Sequence, residues 1–339
     1  MPTRMKDIAE YLGVSPSTVS RAVNNTGYVS QELRHRIEQA VRELDYQPNL
    51  LARGLRKQAT NMVGLVVPDL MNPHYTGVAQ TIEGLLADHD YRLILSVSKE
   101  NPQSELFYLQ ALQKQRVAGI IISSVGKNDP YLGHLVRQGI PVVAHSREVK
   151  SPGVDNVLAS DAEGALQVTR HLIHLGHRKI AIICGPQELS TGRERLRGYT
   201  EALTEAGISV QESLIKVGAF QRSFGAEAAA QLLDAPDRPT AIFAAGGELM
   251  TGLMKTFFER GVDIPCEVSV VGYDDPDWFS FWHPPITTVA MDVDFLSRKT
   301  VELLLRRMSA PKAVRRSVNV SVPISFVVRS STAPPRTWS

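Results

Sequence analysis

Val14-Ser15-Pro16-Ser17-Thr18-Val19-Ser20-Arg21-Ala22-Val23-Asn24 is the stretch from which the rest of the chain is read. Ser15 is a good N-cap, and Pro16 suits the first helical position because it has no N–H to lose and its φ is already helical. Val19, Ala22 and Val23 then recur at i, i+3 and i+4 and give this helix one apolar face. The opposite face carries short polar or basic side chains: Ser17, Ser20, Arg21 and Asn24. Short side chains let a helix N-terminus approach the floor of a DNA major groove, while one arginine reaches base edges or phosphates.

Upstream, Met5, Ile8, Ala9 and Leu12 form a short amphipathic helix that Gly13 ends as a C′ glycine. Two short helices joined by a glycine-containing turn make a helix-turn-helix, with the second as reader. Downstream, Asn24-Asn25-Thr26-Gly27 reads as a turn and Ser30 caps a third helix. Leu33, Ile37, Ala40, Val41 and Leu44 supply its core face, and Arg34, Arg36 and Arg42 lie on a solvated outer face. A fourth helix is expected over Asn49–Lys57, after Pro48. It is short and contains Gly54, which costs about 1 kcal/mol against alanine. Such a helix is marginal without tertiary support and is a natural conditional element between head and body.

The chain has 339 residues, too many for one ordinary domain, and its 43% apolar and 21% charged content is that of a globular protein. Residues 1–60 hold nine Lys/Arg against six Asp/Glu, so the small positive net charge of +2 sits in the head. A basic module on a near-neutral body points to nucleic acid. Cys184 and Cys266 lie far apart in apolar, strand-like contexts and read as buried reduced thiols; no metal-ligand spacing exists. The start, Met1-Pro2-Thr3-Arg4-Met5-Lys6-Asp7, lacks the apolar run of a signal peptide, and no stretch is long enough to span a membrane. A cytoplasmic, nucleoid-associated protein without membrane partner is expected. No phosphate-binding, nucleophile-elbow or zinc motif is present, so no catalytic residue, metal or cofactor is assigned and an enzyme is not expected.

From Asn61 onward, apolar runs alternate with helical periods. Strands are expected at Val63–Val67, Leu93–Val97, Gly119–Ser123, Pro141–Ala144, Lys179–Cys184, Ala241–Ala245, Val268–Gly272 and Thr287–Met291. The helices between them include Tyr75–Asp88, Ser104–Gln115, Asp161–Leu175, Arg193–Ala206, Ser223–Leu233 and Leu249–Arg260. Alternation of this kind argues for parallel sheets covered on both faces, divided in two near Asn156–Asp161. Two doubly wound sheets side by side make a cleft at their strand carboxyl ends.

Met5-Lys6-Asp7-Ile8-Ala9, Gly13-Val14-Ser15, Ser17-Thr18-Val19-Ser20-Arg21, Val29-Ser30, Tyr46-x-Pro48-Asn49 and Ala52-Arg53-x-Leu55 resemble, in order, the head of the lactose-repressor/galactose-repressor family. The resemblance continues through Asn72-Pro73, Leu175-Gly176-His177-Arg178, Gly185-Pro186, Arg195-x-x-Gly198-Tyr199, Val271-Gly272-Tyr273-Asp274-Asp275 and Pro285-x-Thr287-Thr288-Val289. It implies an α/β fold: an all-α helix-turn-helix head with a hinge helix, then two doubly wound parallel-sheet subdomains like periplasmic sugar-binding proteins, joined by three crossovers. The expected divisions are a DNA-binding domain over 1–48, hinge and linker over 49–60, an effector-binding and dimerisation core over 61–330, and a disordered tail over 331–339.

The same resemblance implies a homodimer on a palindromic double-stranded operator, with Pro16 and Ser17 at the main specificity positions and Leu55 as a minor-groove wedge. Ser15, Thr18, Ser20, Arg21, Asn24, Tyr28, Asn49 and Ala52 complete the DNA-facing set. No leucine heptad follows Val327-Val328-Arg329, so a dimer rather than a tetramer is expected. A small-molecule effector, a sugar or sugar derivative, would bind between the subdomains at His74, Tyr75, Ser146, Arg147, Thr191, Arg195, Phe220, Gly246 and Asp274. Asp274 follows a strand and can accept two sugar hydroxyls, the other possibility being a turn aspartate. Trp278, Phe279, Phe281 and Trp282 either line the cleft mouth or pack under the loop before Pro284-Pro285. Relatives carry Asn-Asp where this chain has Gly246-Gly247, and Asp-Arg where it has Ser146-Arg147. Loss of an amide and a carboxylate suggests a roomier pocket suited to a larger, acidic or phosphorylated ligand. The leading function is a ligand-responsive transcriptional repressor; the alternatives are a regulator that needs a purine-type corepressor, and a receptor or enzyme without a DNA role.

Overall fold

The computed structural model describes residues 3, 5–23, 27–44, 46, 60–309 and 316–336, and the chain separates into two compact units, Met1–Thr60 and Asn61–Ser339. In the first unit, α1 (Met5–Leu12), α2 (Pro16–Val23) and α3 (Gln31–Glu43) bring their apolar stripes together, with Ile8, Val19 and Ile37 wholly buried. The local signals explain the ends. Gly13 takes φ +67° after α1, the left-handed cap that favours glycine. The Thr18 N–H donates to Ser15 Oγ (3.1 Å) at the start of α2, and the Leu33 N–H donates to Ser30 Oγ (3.4 Å) at the start of α3. Arg34, expected on a solvated face, instead donates from Nη1 to the Ala22 carbonyl (3.3 Å), where its charge meets the negative end of α2. The expected hinge helix, with Asn49, Ala52 and Leu55, lies outside the described residues, as does Asn24.

In the second unit the chain runs β1 (Met62–Val67), α4 (Pro73–Ala87), β2 (Arg92–Val97), α5 (Pro102–Lys114), β3 (Gly119–Ile122), α6 (Asp129–Arg137), β4 (Val142–His145) and β5 (Asp155–Ala159). It continues with α7 (Asp161–His174), β6 (Ile180–Cys184), α8 (Ser190–Glu205), β7 (Ile215–Val217), α9 (Arg222–Asp234), β8 (Ala241–Ala244), α10 (Gly247–Arg260) and β9 (Ser269–Tyr273). Last come the short α11 (Trp278–Phe281), β10 (Thr287–Met291), α12 (Val293–Met308), β11 (Asn319–Val322) and β12 (Ile324–Val327). Two six-stranded sheets result, in the orders β11-β5-β4-β3-β1-β2 and β12-β10-β9-β8-β6-β7. Every pairing is parallel except β10 with β12.

Each sheet is apolar on both faces, which is why its central strands read as unbroken hydrophobic runs. In β1, Val63, Leu65 and Val67 face a layer that includes Ile82, Leu296 and Leu304, while Val66 faces Leu109, Leu112 and Leu132 on the other side. The second sheet is covered likewise, Phe257 and Leu253 packing on one face and Tyr199 and Leu172 on the other. The chain crosses between sheets at 160, at 292 and at 323, so the division is not a simple cut into halves. Helix α12 and strand β11 return from the C-terminal part to complete the first sheet.

Two expectations need correction. Residues 331–336 are no loose tail: Ser331 is fully buried, its Oγ donates to the Val270 carbonyl (2.7 Å) and accepts from the Thr287 N–H (2.8 Å). Farther on, His177 Nε2 lies 2.9 Å from the Ala333 carbonyl. Cys184 is buried in β6, but Cys266 lies half-buried in a turn rather than in a strand.

Candidate ligand cleft and nucleic-acid interface

The two sheets meet at the carboxyl ends of their strands, and the residues just beyond those ends line a small cavity of about 50 Å³. All nine residues expected to hold an effector border it: His74, Tyr75, Ser146, Arg147, Thr191, Arg195, Phe220, Gly246 and Asp274. Gly247, read beside Gly246 as widening the pocket, also borders it, as do Asp69, Glu100, Glu248 and Met291, which were not singled out from the sequence. Glu100 was findable by the argument that selected Asp274, because it too stands just past the end of a strand.

The arginines are not free cations. Arg147 makes a two-pronged contact with Glu100, Nη1 to Oε2 at 2.8 Å and Nη2 to Oε1 at 2.7 Å. Arg195 donates from Nε to Asp161 Oδ1 (2.8 Å) and from Nη1 to the Ala245 carbonyl (3.0 Å), with its guanidinium carbon 3.5 Å from the Tyr273 ring centre. Tyr273 in turn donates to Asp161 Oδ1 (2.7 Å), and burial, reinforced by that carboxylate, raises its phenol pKa well above the ordinary value. Because each guanidinium already has its own carboxylate, the expectation of an acidic or phosphorylated ligand loses its basis.

Nor does the glycine pair leave open room. A methyl group on Gly246 would stand 3.1 Å from Phe220 Cδ1, and one on Gly185 would stand 2.1 Å from Phe220 Cζ. The Phe220 ring fills the space that side chains at these positions would take. It lies 5.8 Å from the guanidinium carbons of both Arg147 and Arg195. Gly247 brings its N–H to Asp274 Oδ2 (3.2 Å), placing the carboxylate at the positive N-terminus of α10. Asp274 itself sits at φ +68°, and its carbonyl accepts from Thr288 Oγ1.

His74 opens α4 behind the N-cap Asn72, whose Oδ1 accepts the His74 N–H (3.0 Å). Its Nε2 lies 3.3 Å from Ser146 Oγ, and its ring stacks on that of His145 at 6.3 Å. His145 Nδ1 meets Thr300 Oγ1 at 2.9 Å; Thr300 spends its hydrogen on the Leu296 carbonyl, so Nδ1 carries the imidazole proton. Burial, helped by His74, holds the His145 pKa down to about 3, and burial also lowers that of His74. Burial pushes the Tyr75 phenol up to about 12. Four buried atoms around the cleft have no protein partner: His74 Nδ1, His145 Nε2, Arg147 Nε and Thr191 Oγ1.

Beside this cavity lies a larger, more open one of about 590 Å³, bordered by Met254, Phe258, Trp278, Trp282 and Val293 and sharing His74, Gly247 and Asp274 with the smaller. The aromatic cluster thus divides: Trp278 and Trp282 line this concavity, Phe279 is buried beneath Gly272, and Phe281 stands 73% exposed. Asp275 pairs with Arg329 through two contacts of 2.8 Å.

In the head, Ser15, Pro16, Ser17 and Arg21 are exposed on the side of α2 away from Val19 and Ala22, with Thr18 and Ser20 half-buried between. Ser15 Oγ also meets Ser17 Oγ (2.7 Å) and Thr18 Oγ1 (2.8 Å), which fixes the start of the exposed face. Tyr28 is 90% exposed.

Residues 4–49 match the profile of bacterial regulatory proteins of the lacI family, and residues 169–332 match a periplasmic binding protein-like domain. The HTH-type transcriptional repressor PurR of Photobacterium profundum is 33% identical over 328 residues, 96% of this chain and 98% of that protein. The HTH-type transcriptional regulator DegA of Bacillus subtilis is 32% identical over 337 residues, 98% of this chain and 99% of that protein. Among solved structures, a lac repressor dimer bound to operator and the anti-inducer ONPF superposes with a TM-score of 0.85 at 28% identity, covering 98% of this chain and all of that one. The regulator CelR in complex with cellobiose superposes with a TM-score of 0.73 at 31% identity, covering 97% and 99%.

Proposed function

Since the chain belongs to the lacI family of bacterial regulatory proteins, we propose that its cleft binds the effector and its α2 reads the operator. The protein is a ligand-responsive, DNA-binding transcriptional repressor rather than an enzyme, as its relatives are. Its cytoplasmic, nucleoid-associated location follows from that role.

One observation carries the assignment of the cleft. Buried polar atoms without protein partners gather where the two sheets meet, in a space of about 50 Å³. Small-molecule pockets hold about 300 Å³ or more. A ligand therefore enters only if the two walls part or Phe220 moves, and its binding energy is coupled to the arrangement of the subdomains. That coupling, typically about 1–3 kcal/mol, is what a regulator transmits to its operator.

The working form is a homodimer, as in the lac repressor dimer bound to operator, and the two-fold symmetry of such a dimer calls for a palindromic site. Phe258, 77% exposed, stands with Trp278 and Trp282 around the larger concavity, and with the 73% exposed Phe281 they supply the apolar face that a second copy covers. Phe258→Asp yields a monomer in sedimentation; an unchanged dimer moves the interface elsewhere.

The test of function is a fluorescence titration on an operator selected from random DNA, with a panel of sugars and purines as effectors. Arg21→Ala weakens operator binding by about 1–3 kcal/mol if it contacts a base edge. Asp274→Ala abolishes the effector's influence on operator affinity, whichever direction that influence takes. A normal response in this variant overturns the assignment of the cleft.

A further inference from the structure

The cleft holds two arginines, the usual receptors for an anion, yet neither has its charge to spare. Arg147 spends both terminal nitrogens on Glu100, leaving Nε buried and without a protein partner. Arg147 is nearly enclosed and Glu100 only partly so, their side chains 4% and 28% exposed. Glu100 reaches Arg147 from a costly backbone: Lys99 and Glu100 both take φ +54°, a left-handed conformation that side-chain-bearing residues rarely adopt. Two such residues in succession, ending with a carboxylate clamped on a buried guanidinium, make Glu100 a built feature of the site rather than a passing surface ion pair. Arg195 is neutralised in the same way by Asp161. Asp69 and Asp274 also border the cavity, and among the described residues neither lies within ion-pair distance of a cation.

We propose that Glu100 sets the charge of the ligand: as a resident counter-ion it converts Arg147 from an anion receptor into a neutral-site hydrogen-bond donor. The cleft then takes an uncharged, polyhydroxylated molecule and refuses its phosphorylated or carboxylated analogues. This rests on the cleft being the effector site. An entering anion meets two carboxylates without a free cation, and displacing Glu100 from Arg147 would only exchange one two-pronged carboxylate contact for another, with no net gain in charge pairing. A hydroxyl group has no such conflict. It accepts from Arg147 Nε and donates to Asp274, and Thr191 Oγ1 serves a second hydroxyl in either sense. The apolar face of Phe220 suits the carbon face of such a molecule.

The experiment titrates wild type, Glu100→Gln, Glu100→Asp and Glu100→Gln/Arg147→Met with inorganic phosphate, and with the pairs D-ribose/ribose 5-phosphate and D-glucose/glucose 6-phosphate. Calorimetry at constant ionic strength gives affinity, and circular dichroism checks the fold. Wild type and Glu100→Asp are expected to show no saturable binding of phosphate or of the phosphorylated sugars. Glu100→Gln is expected to bind phosphate at least tenfold more tightly than wild type, and the double variant to lose that gain. Saturable binding of a phosphorylated sugar by wild type, or no gain in folded Glu100→Gln, overturns the proposal. Should Glu100→Gln not fold, wild type and Glu100→Asp still decide it: refusal of the phosphorylated sugars by both supports the proposal, acceptance by either overturns it. If wild type binds a phosphorylated sugar and Asp274→Ala abolishes that binding, the charge rule falls while the cleft remains the effector site. If an operator-releasing sugar binds Asp274→Ala and Glu100→Gln as it binds wild type, the cleft assignment itself falls.

Discussion

Arg195 and Arg147 lie at the same distance from the Phe220 ring, one on each wall of the cleft, but their surroundings differ. On the second-sheet wall, Arg195 is tied to Asp161, to the Ala245 carbonyl and to the face of Tyr273, and Tyr273 closes the circle on Asp161. On the first-sheet wall, Arg147 Nε, His74 Nδ1 and His145 Nε2 have no protein partner, and Lys99, Glu100 and Ser146 adopt positive φ. The second wall has two exceptions, Thr191 Oγ1 and the strained Asp274, and both border the cavity. The contrast teaches that one wall is internally satisfied and serves as an anchor, while the other keeps strain and hydrogen-bonding capacity where a ligand can use them.

The largest effect that could break this contrast is on stability. Arg195→Met strands the buried Asp161 carboxylate and should cost about 3–5 kcal/mol in urea unfolding. Arg147→Met should cost less, about 1–3 kcal/mol, because the freed Glu100 carboxylate can recover water. Equal costs would erase the distinction between the walls.

The next effect belongs to the first wall and reads through pH. His145 is held neutral with a pKa of about 3, whereas an unfolded histidine titrates near 6.5. Between those values the unfolded chain binds the extra proton, so stability is fully present above about pH 6.5 and falls as pH drops toward 3. From pH 7 to 5 the loss through His145 should be about 2 kcal/mol, and His145→Gln should flatten that slope. An unchanged slope would place the titration elsewhere. The smallest effect returns to the second wall: Gly246→Ala presses its methyl on Phe220 and should cost about 1 kcal/mol, less than Gly185→Ala, in thermal unfolding. The reverse order would mean that the ring is not seated between these glycines.

Much of this was legible in the sequence for definite reasons. Central strands such as β1, β3 and β6 are buried on both faces and therefore announce themselves as apolar runs. The strands that did not are edges or carry polar work: β7 is three residues long, and β11 alternates polar with apolar along an edge. Strand β5 begins with Asp155, which clamps Arg307, and Asn156, which bonds Val149 and Asn319. Asp274 could be found because it follows a strand directly. The pairing of Glu100 with Arg147 spans 47 residues and leaves no periodic trace, so the arginine was visible and its neutralisation was not. Similarly, glycines at 246 and 247 read as empty space until the positions of Phe220 beside the first and Asp274 beside the second showed what borders it.

The return of α12 and β11 to the first sheet has a consequence for how the protein is made. Translation delivers β1 to β5 first, yet Leu296, Val301 and Leu304, which cover Val63, Leu65 and Val67, emerge some two hundred residues later, and β11 later still. The apolar face of the older wall thus stays open to water, to chaperones and to neighbouring nascent chains until the younger wall has almost left the ribosome. The two walls of the finished regulator are obliged to mature together.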